Sequence, residues 1–458
     1  MSPTATITQT PVELQRRGSD RPSFDERTAE VDTASNDEIV FQQLGRVDGG
    51  LKAWTVLIAA FVFEALLWGF PISFGVFQDY YSTLPQFADN PNIALIGTVA
   101  QGFPYITAPL FATLTRRFPK YRRQMIWFGW PVCLGGLVAG SFADTLDTLI
   151  ATQGIIYGFG FVTFTYPILS MVDEWWVARK GMAFGLITSA GGAAGVVMPF
   201  IVNTLLTRYG YKTTLRAIAV AMFILTAPLV PSLKGRLPIS NHTTVAKTNW
   251  SFFRKPLFYF YGLSTLVQGF GLFFPSLFLP SYATGIGLTS TQGALVLALM
   301  SLSQLIGQFA IGWLSDKNVS ISLLAVMCSV AATVATFALW GAAKSLGLLI
   351  AFSLVYGMSG YGFGVMRVAM GRAVSNDSSS AVITYSILVF MQGIGNVLVA
   401  PLSSALLSGE IDLEEYAISR YKTLVIFTGS CMIGSTIIIG VWYLLPMSLR
   451  SRTLKFGN

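Results

Sequence analysis

Twelve long apolar stretches decide what kind of fold this sequence can adopt. A helix that crosses the hydrocarbon core of a bilayer needs about 20 mainly apolar residues. The stretches lie at about residues 54–77, 93–114, 124–143, 148–171, 181–205, 213–232, 256–279, 290–313, 320–341, 346–366, 381–407 and 421–445. Only 11% of the residues are charged, whereas soluble domains have about 25%. The sequence therefore predicts an all-α integral membrane protein with twelve transmembrane helices.

The remaining segments divide the chain into parts. Residues 1–50 are polar and have no cleavable signal-peptide pattern, so we expect a disordered cytoplasmic tail. The other predicted parts are an N-terminal half with helices 1–6 at 51–232, a central cytoplasmic loop at 233–255, a C-terminal half with helices 7–12 at 256–446 and a cytoplasmic C-terminal tail at 447–458.

The distribution of charge predicts the orientation in the membrane. Lysine and arginine are concentrated in the loops after the even-numbered helices, whereas an acidic cluster at 410–415 lies on the other side. The positive-inside rule then places both termini in the cytosol. We expect the plasma membrane as the location, with a vacuolar or other organellar membrane as the alternative. The net charge of +8 is assigned to these loops, so no nucleic acid partner is predicted.

Residues that could support catalysis or hold a metal are scarce. The only histidine is His242, and no nucleotide-binding loop or cluster of cysteine and histidine residues is present. The three cysteines each fall inside a predicted span, so we interpret them as packing residues. The sequence predicts no cofactor, no metal site and no catalytic site, which leaves a membrane enzyme with little support.

The two halves repeat each other. FPISF around Pro71 in helix 1 corresponds to FPSLF around Pro275 in helix 7, and the segment ending at Pro199 in helix 5 corresponds to the one ending at Pro401 in helix 11. Two pseudo-symmetric six-helix halves joined by a cytoplasmic loop are typical of transporters that rock around a central site.

Small residues are concentrated in two helices of this pattern. Glycine and serine spaced three or four residues apart allow close helix packing, and they occur at Gly181, Gly185, Ser189, Gly191, Gly192 and Gly195 in helix 5 and at Gly357, Gly360, Gly362 and Gly364 in helix 10. We predict close approach of neighbouring helices here, with bending during transport as a second possible role.

Three motifs resemble those of a known family. VDGGLKAW before helix 1 and EWWVARKGMAFGLITSAGGAAG at 174–195 resemble the two hallmark motifs of the monocarboxylate transporter family of the major facilitator superfamily, particularly its fungal branch. GWLSDK at 312–317 is similar to the loop motif of that superfamily. The resemblance extends over about residues 48–445, and it implies the major facilitator fold and secondary active transport of a small organic solute by alternating access.

The loop motif implies a conformational latch. Asp316, at the cytoplasmic end of helix 8, can interact with a helix N-terminus or a basic residue and hold one conformation. A solvated loop acid is the alternative. The equivalent position in the first half is occupied by Arg116, so the same latch is not expected there.

The resemblance also points to a change in helix 8. Animal relatives have an aspartate and an arginine four residues apart in helix 8 and a lysine in helix 1, and the corresponding residues here are Gln304, Gln308 and Ile72. We interpret the two glutamines as a neutral substrate-binding stripe, because burying a carboxylate without a cationic partner costs several kcal/mol. The expected substrate is therefore larger or less charged than lactate. Hydrogen bonding between helices is the alternative role for these amides.

Further side chains near mid-membrane extend the predicted substrate site. The amides are Gln101, Gln268, Gln392 and Asn396, and the aromatic walls are Trp68, Phe270 and Tyr361.

Two charged residues have open interpretations. Glu64 lies near the bilayer centre, where an acid is costly unless protonated or paired, so we interpret it as a proton-coupling residue, with a permanently protonated packing acid as the alternative. Arg367 is close enough to the cytoplasmic end of helix 10 to extend to the interface, which is the first interpretation, and a contact with an anionic substrate is the second.

Three functions remain open at this point. The first is secondary active transport of an organic solute, coupled to protons through Glu64. The others are proton-monocarboxylate symport and nutrient sensing without transport on the same fold. The expected partners are the solute, protons and the lipid bilayer, and the sequence identifies no protein partner.

Overall fold

The chain forms long helices, as the bilayer requires, because backbone groups in hydrocarbon must form their hydrogen bonds within the segment. The computed structural model describes residues 45–87, 93–237, 250–317, 319–375, 378–407 and 419–444. Most of the predicted N-terminal tail, His242 in the central loop, the acidic cluster at 410–415 and the C-terminal tail lie outside the described residues.

Twelve helical segments, α1 to α12, cross the bundle within the described residues. They are α1 (Leu51–Ile72 and Phe74–Ser82), α2 (Ile93–Ile106 and Ala108–Arg117), α3 (Arg122–Gly140), α4 (Leu146–Leu149, the π-helical Ile150–Ile156 and Tyr157–Trp175), α5 and α6 (together Lys180–Thr226), α7 (Pro256–Leu272 and Phe274–Gly285), α8 (Ser290–Ser315), α9 (Ile321–Val334 and the π-helical Ala335–Trp340), α10 (Leu346–Val365 and Arg367–Val374), α11 (Ser378–Leu407) and α12 (Lys422–Leu444).

Length and hydropathy support this count. Nine helices among the described residues are long and apolar enough to cross a membrane, and the two parts of α2, which meet at a bend of 45°, make a tenth. The helix Lys180–Thr226 counts once although it contains two crossings, and α3 begins with the basic residues Arg122 and Arg123. The predicted twelve-helix membrane fold is confirmed.

The connection between α5 and α6 is a single glycine. The sequence predicts a loop at 206–212, but the helical pattern continues on both sides of Gly210, where φ is 73° and ψ is 172°. Glycine has no Cβ and adopts this left-handed region without strain. The chain therefore reverses direction here with almost no loop.

The internal repeat is visible as a break in α1 and α7. The first break lies at Ser73, two residues after Pro71, and the second lies at Phe273, two residues before Pro275. Proline has no amide hydrogen and its ring crowds the preceding turn, so it interrupts the hydrogen bonds of a helix. Both halves thus have a break in their first helix close to the repeated proline, but on opposite sides of it.

The two halves meet along α5 and α8. A methyl group added at Gly181 would lie 2.4 Å from the carbonyl oxygen of Gly312, and one added at Gly192 would lie 2.7 Å from the carbonyl oxygen of Ser301. Contacts this short leave room only for hydrogen, which is how small residues allow helices to pack closely. Gly357 of α10 contacts α8 in the same way. The predicted close approach is confirmed at these positions.

Candidate transport site

A large cavity lies between the two halves. Its volume is about 1520 Å³, and α1, α2, α4 and α5 of the first half and α7, α8, α10 and α11 of the second half form its walls. It extends from mid-bundle to the end that carries residues 83–87 and 286–289, which we call the open end, where exposed Asp79 and Thr83 form part of the wall. The other end carries residues 46–50, 176–180 and 316–317, and we call it the closed end.

Glu64 lies in the wall of this cavity, in the middle of α1. It is 5% exposed, and its Oε2 accepts a hydrogen bond of 2.8 Å from Nε1 of Trp68, one helical turn further on. Oε1 has no hydrogen-bond partner among the described residues. Oε1 is therefore a buried acceptor without a hydrogen bond of standard geometry, in a side chain that lines the cavity.

The predicted amide residues divide into two groups. Gln101, Gln304, Gln308, Gln392 and Asn396 all line the cavity. The amide of Gln308 has an unpaired Oε1 and only a long contact of 3.5 Å from Nε2 to the Tyr361 carbonyl, and Nδ2 of Asn396 is also unpaired.

Gln268 does not line the cavity, contrary to the prediction. It is 1% exposed, and its Nε2 donates 2.9 Å to the carbonyl oxygen of Gly360, which joins α7 to α10. The interhelical alternative therefore describes this residue. The sequence alone does not distinguish these two roles for Gln268, because an amide in the middle of a helix can line a cavity or bond to a neighbouring helix equally well.

Two of the three aromatic residues predicted for the walls lie at the cavity. Trp68 and Tyr361 line the cavity, whereas Phe270 does not. Trp68 packs against Tyr105 and Phe161, with ring centroids 5.8 Å and 5.1 Å apart. Phe273, at the break in α7, takes the place that was predicted for Phe270.

Three cavity tyrosines were missed by the sequence analysis. Tyr105 of α2, Tyr166 of α4 and Tyr385 of α11 line the cavity, as Glu64 and Arg367 do. Tyr105 and Tyr166 each adjoin a proline, Pro104 and Pro167. Pro104 is a signal that could have drawn attention to Tyr105, since α2 breaks three residues further on and broken helices line such sites.

Arg367 does not extend to the interface, contrary to the first interpretation. Its side chain is buried at 7% exposure and lines the cavity. Nε donates 2.6 Å to the carbonyl oxygen of Gly364, and Nη1 donates to Oε1 of Gln392. Met366 interrupts α10 just before Arg367, so this residue begins the second segment of the helix.

Asp316 joins the two halves at the closed end. Its carboxylate accepts hydrogen bonds of 2.8 Å and 2.7 Å from the backbone amides of Gly181 and Met182, and it forms an ion pair of 3.2 Å with Arg372. These amides begin α5, whose own N-cap residue, Arg179, makes no side-chain capping bond. The N-terminus of a first-half helix is therefore capped by an acid of the second half.

A second aspartate holds the turn just before α5. Asp48 accepts hydrogen bonds from the amides of Val177, Ala178 and Arg179 at 2.9, 3.0 and 2.9 Å. Its backbone lies in the left-handed region, with φ of 57°, which aspartate tolerates better than most residues. The two hallmark motifs, far apart in sequence, thus meet at this turn.

Asp48→Ala is expected to destabilise the protein by about 2 kcal/mol, because three amides lose their acceptor. Asp48→Asn retains one acceptor oxygen and should lose about half as much. The measurement is thermal unfolding in detergent, followed with a thiol-reactive dye. All three cysteines, Cys133, Cys328 and Cys431, are buried and become accessible when the protein unfolds. Equal melting temperatures for wild type and Asp48→Ala would contradict this role.

The fold and the site together define a class of protein. Among the described residues, eight of the twelve membrane-spanning helices line a central cavity that is open at one end and latched at the other, which is the architecture of an alternating-access transporter. Residues 54–400 match the sequence profile of the Major Facilitator Superfamily, and the chain belongs to this family.

Individual relatives support this assignment. The chain is 23% identical over 436 residues to the fujikurins efflux protein of Gibberella fujikuroi, covering 94% of this chain and 91% of that protein. It is 26% identical over 367 residues to monocarboxylate transporter 11 of Homo sapiens, covering 78% and 74%. The nucleoside transporter NupG has a similar fold, with a TM-score of 0.61 at 12% identity over 87% of this chain and 100% of that one. The predicted resemblance to the monocarboxylate transporter branch and the transporter class are confirmed.

Proposed function

We propose that this carrier moves an organic solute larger than lactate, coupled to protons through Glu64. The observation that carries the proposal is the cavity of about 1520 Å³, which contains one buried acid with a free oxygen. Sites for drug-sized ligands usually measure about 300–1,000 Å³. A three-carbon acid would leave most of this space filled with water.

The chemistry of the walls supports a solute with polar groups on an apolar frame. Gln304 and Gln308 offer neutral amide donors and acceptors from α8. Trp68 and Tyr361 offer flat apolar surfaces on opposite halves of the molecule. A solute that contacts both halves is suited to a carrier that closes around its cargo.

The proposed direction of transport rests on a relative. The positive-inside rule predicts that the closed end faces the cytosol and that the cavity opens to the outside, a state that importers and exporters both visit. A relative with 91% coverage is a fujikurins efflux protein, and we propose export across the plasma membrane for this chain as well. A product made in the cytosol would leave along its own concentration gradient.

Untargeted metabolite profiling tests the direction and identifies the solute. Cells lacking the gene and cells in which it is restored are compared, inside and in the medium. Accumulation inside the deletion strain supports export, whereas depletion inside with the compound left in the medium would show import. If gene expression changed and no metabolite moved, the carrier proposal would fail and the sensor alternative would replace it.

Glu64→Gln is expected to lower net transport driven by a pH gradient at least tenfold. The amide imitates the neutral, protonated acid, so the loaded carrier can still reorient, but it cannot release a proton and return empty. Exchange of labelled for unlabelled solute should therefore persist. Both rates are measured in vesicles that contain the purified full-length protein.

Asp147→Asn serves as the matched control for this experiment. Asp147 is exposed at the start of α4, outside the cavity, so its neutralisation should leave both rates unchanged. A Glu64→Gln carrier that still responds to the pH gradient as the wild type does would refute proton coupling at this residue.

A small monocarboxylate is the second candidate substrate. The buried guanidinium of Arg367 favours it, because a cavity of low polarity selects an anion when it contains a fixed positive charge. Competition by excess lactate with the profiled solute decides between the two. Strong competition would support the smaller substrate.

A further inference from the structure

A second cavity lies at the closed end, between the two halves, and we call it the seam pocket. Its volume is about 390 Å³. Three residues from each half line it: Ala178, Arg179 and Met182 of the first half and Trp313, Asp316 and Lys317 of the second. None of these six residues lines the transport cavity. A ligand in the seam pocket would therefore contact both halves without meeting the transported solute.

The seam pocket carries a net positive charge. The side chains of Arg179 and Lys317 are exposed, and neither forms an ion pair with a described residue. Asp316, the acid in the wall, is already engaged by two backbone amides and by Arg372. Two cations, one from each half, thus line a pocket whose acid is compensated elsewhere, and they repel each other across it. This arrangement favours an anionic ligand.

An apolar stripe on α8 leads away from the seam pocket. Leu302, Ile306, Phe309 and Trp313 are exposed and recur every three or four residues, so they share one face of the helix. Lys317 continues this face, and its ammonium lies 4.6 Å from the centre of the Trp313 ring. The stripe is about 16 Å long at ~1.5 Å per residue, which is roughly half of the ~30 Å hydrocarbon core. It therefore has the length of one leaflet.

A cationic pocket at the end of an apolar stripe suits an anionic phospholipid. The phosphate group is the anion, and an acyl chain follows the exposed apolar side chains. Tryptophan is enriched at the level of the lipid headgroups, which is where Trp313 would lie. The positive-inside rule predicts that the closed end faces the cytosol, and the cytoplasmic leaflet is the one that contains anionic lipids.

We propose that the seam pocket binds the phosphate group of an anionic phospholipid between Arg179 and Lys317, with an acyl chain along the stripe on α8. Because each half supplies one of the two cations, the bound phosphate stabilises the closed end. Separation of the halves at this end breaks the site. The inference goes beyond the proposed function, because it specifies a lipid that favours one conformation of the carrier and does not depend on the solute.

Photo-crosslinking in vesicles tests the site. The purified full-length protein is placed in phosphatidylcholine vesicles that contain phosphatidylserine with a diazirine on one acyl chain. We expect labelled peptides from residues 302–313, and the double variant Arg179→Gln with Lys317→Gln should lose at least ~10-fold of this labelling. The double variant Arg117→Gln with Lys120→Gln is the matched control. It removes two exposed charges near the turn between α2 and α3, outside the seam pocket, and should label as the wild type does.

A charge-preserving variant separates binding from folding. Arg179→Lys with Lys317→Arg exchanges the two cations and should retain the wild-type labelling. All these variants should melt at the wild-type temperature in the assay with the thiol-reactive dye, since the altered side chains are exposed. Undiminished labelling of the double glutamine variant, or equal labelling by phosphatidylcholine with the same diazirine, would overturn the site. Loss of labelling on addition of inorganic phosphate would assign the pocket to a soluble ligand and overturn the lipid.

The stabilising role has its own measurement. Spin labels at Val177→Cys and Ser320→Cys, exposed positions on the two halves at the closed end, are introduced into Arg372→Gln, in which Asp316 loses its ion pair. Phosphatidylserine should raise the fraction of molecules with the short distance, relative to phosphatidylcholine alone. The same fraction in both lipids would overturn the stabilising role. No solute is needed, so a failure of the proposed transport function would leave this result unchanged.

Discussion

Gly312→Val is expected to abolish net transport by forcing the closed end apart. A Cβ at this position would lie 2.4 Å from the carbonyl oxygen of Gly181 and 2.8 Å from the Cα of Gly185. Both neighbours are backbone atoms, so neither can rotate away. Overpacking costs about 1–3 kcal/mol, and we expect the upper end, which lowers the equilibrium constant for closing this end by a factor of ~150.

The measurement is the distance between spin labels at Val177→Cys and Lys317→Cys, on opposite sides of the closed end. Both positions are exposed, and the natural cysteines are buried and do not take up label. Gly312→Val should convert a single short distance into a longer one. Gly135→Val is the matched control, because a Cβ at this membrane-spanning glycine meets nothing within 4 Å. An unchanged distance in Gly312→Val would refute the prediction.

Asp316→Ala is expected to have an effect of similar size by a different route. Two amides at the start of α5 lose their acceptor and Arg372 loses its ion pair. Hydrogen bonds to a charged group contribute about 1.5–3 kcal/mol each. We therefore expect the closed form to lose about 3 kcal/mol, and Asp316→Asn, which retains one acceptor oxygen, to lose less.

The same pair of spin labels reports this change. Asp144→Asn provides the control, since the ion pair of Asp144 with Lys212 at 2.7 Å is exposed and exposed pairs contribute little. The latch role of Asp316 would be contradicted if the labels in Asp316→Ala kept the wild-type distance and the variant transported at the wild-type rate.

Sequence reasoning was most successful where one residue type has one structural consequence. The apolar stretches predicted the helices, because hydrocarbon excludes other backbone forms. Pro71 and Pro275 lie within two residues of the paired breaks in α1 and α7, although Pro167 stands inside a continuous segment of α4. Asp316 was predicted to meet a helix N-terminus or a basic residue, and it meets both.

It was less successful where the role depends on a neighbouring helix. Gln268 and Gln308 are equally polar and equally central, but only Gln308 lines the cavity. Periodicity gives the face of a helix on which a residue lies, and it does not give the element that this face meets. The buried position of Arg367 could not be predicted for a related reason, because its distance from the helix end does not show which elements surround the side chain.

The single-residue turn at Gly210 has a mechanical consequence. A single glycine, Gly210, with φ of 73°, connects α5 to α6. Because no flexible loop separates the two helices, we expect them to move together. Any tilt of α5 at the closed end must be transmitted to α6 and onward to residues 234–237, which Trp175 and Glu174 hold by hydrogen bonds to the Lys234 carbonyl and the Arg236 amide. A spacer inserted at this turn should uncouple the movement of the two helices without disturbing either one alone.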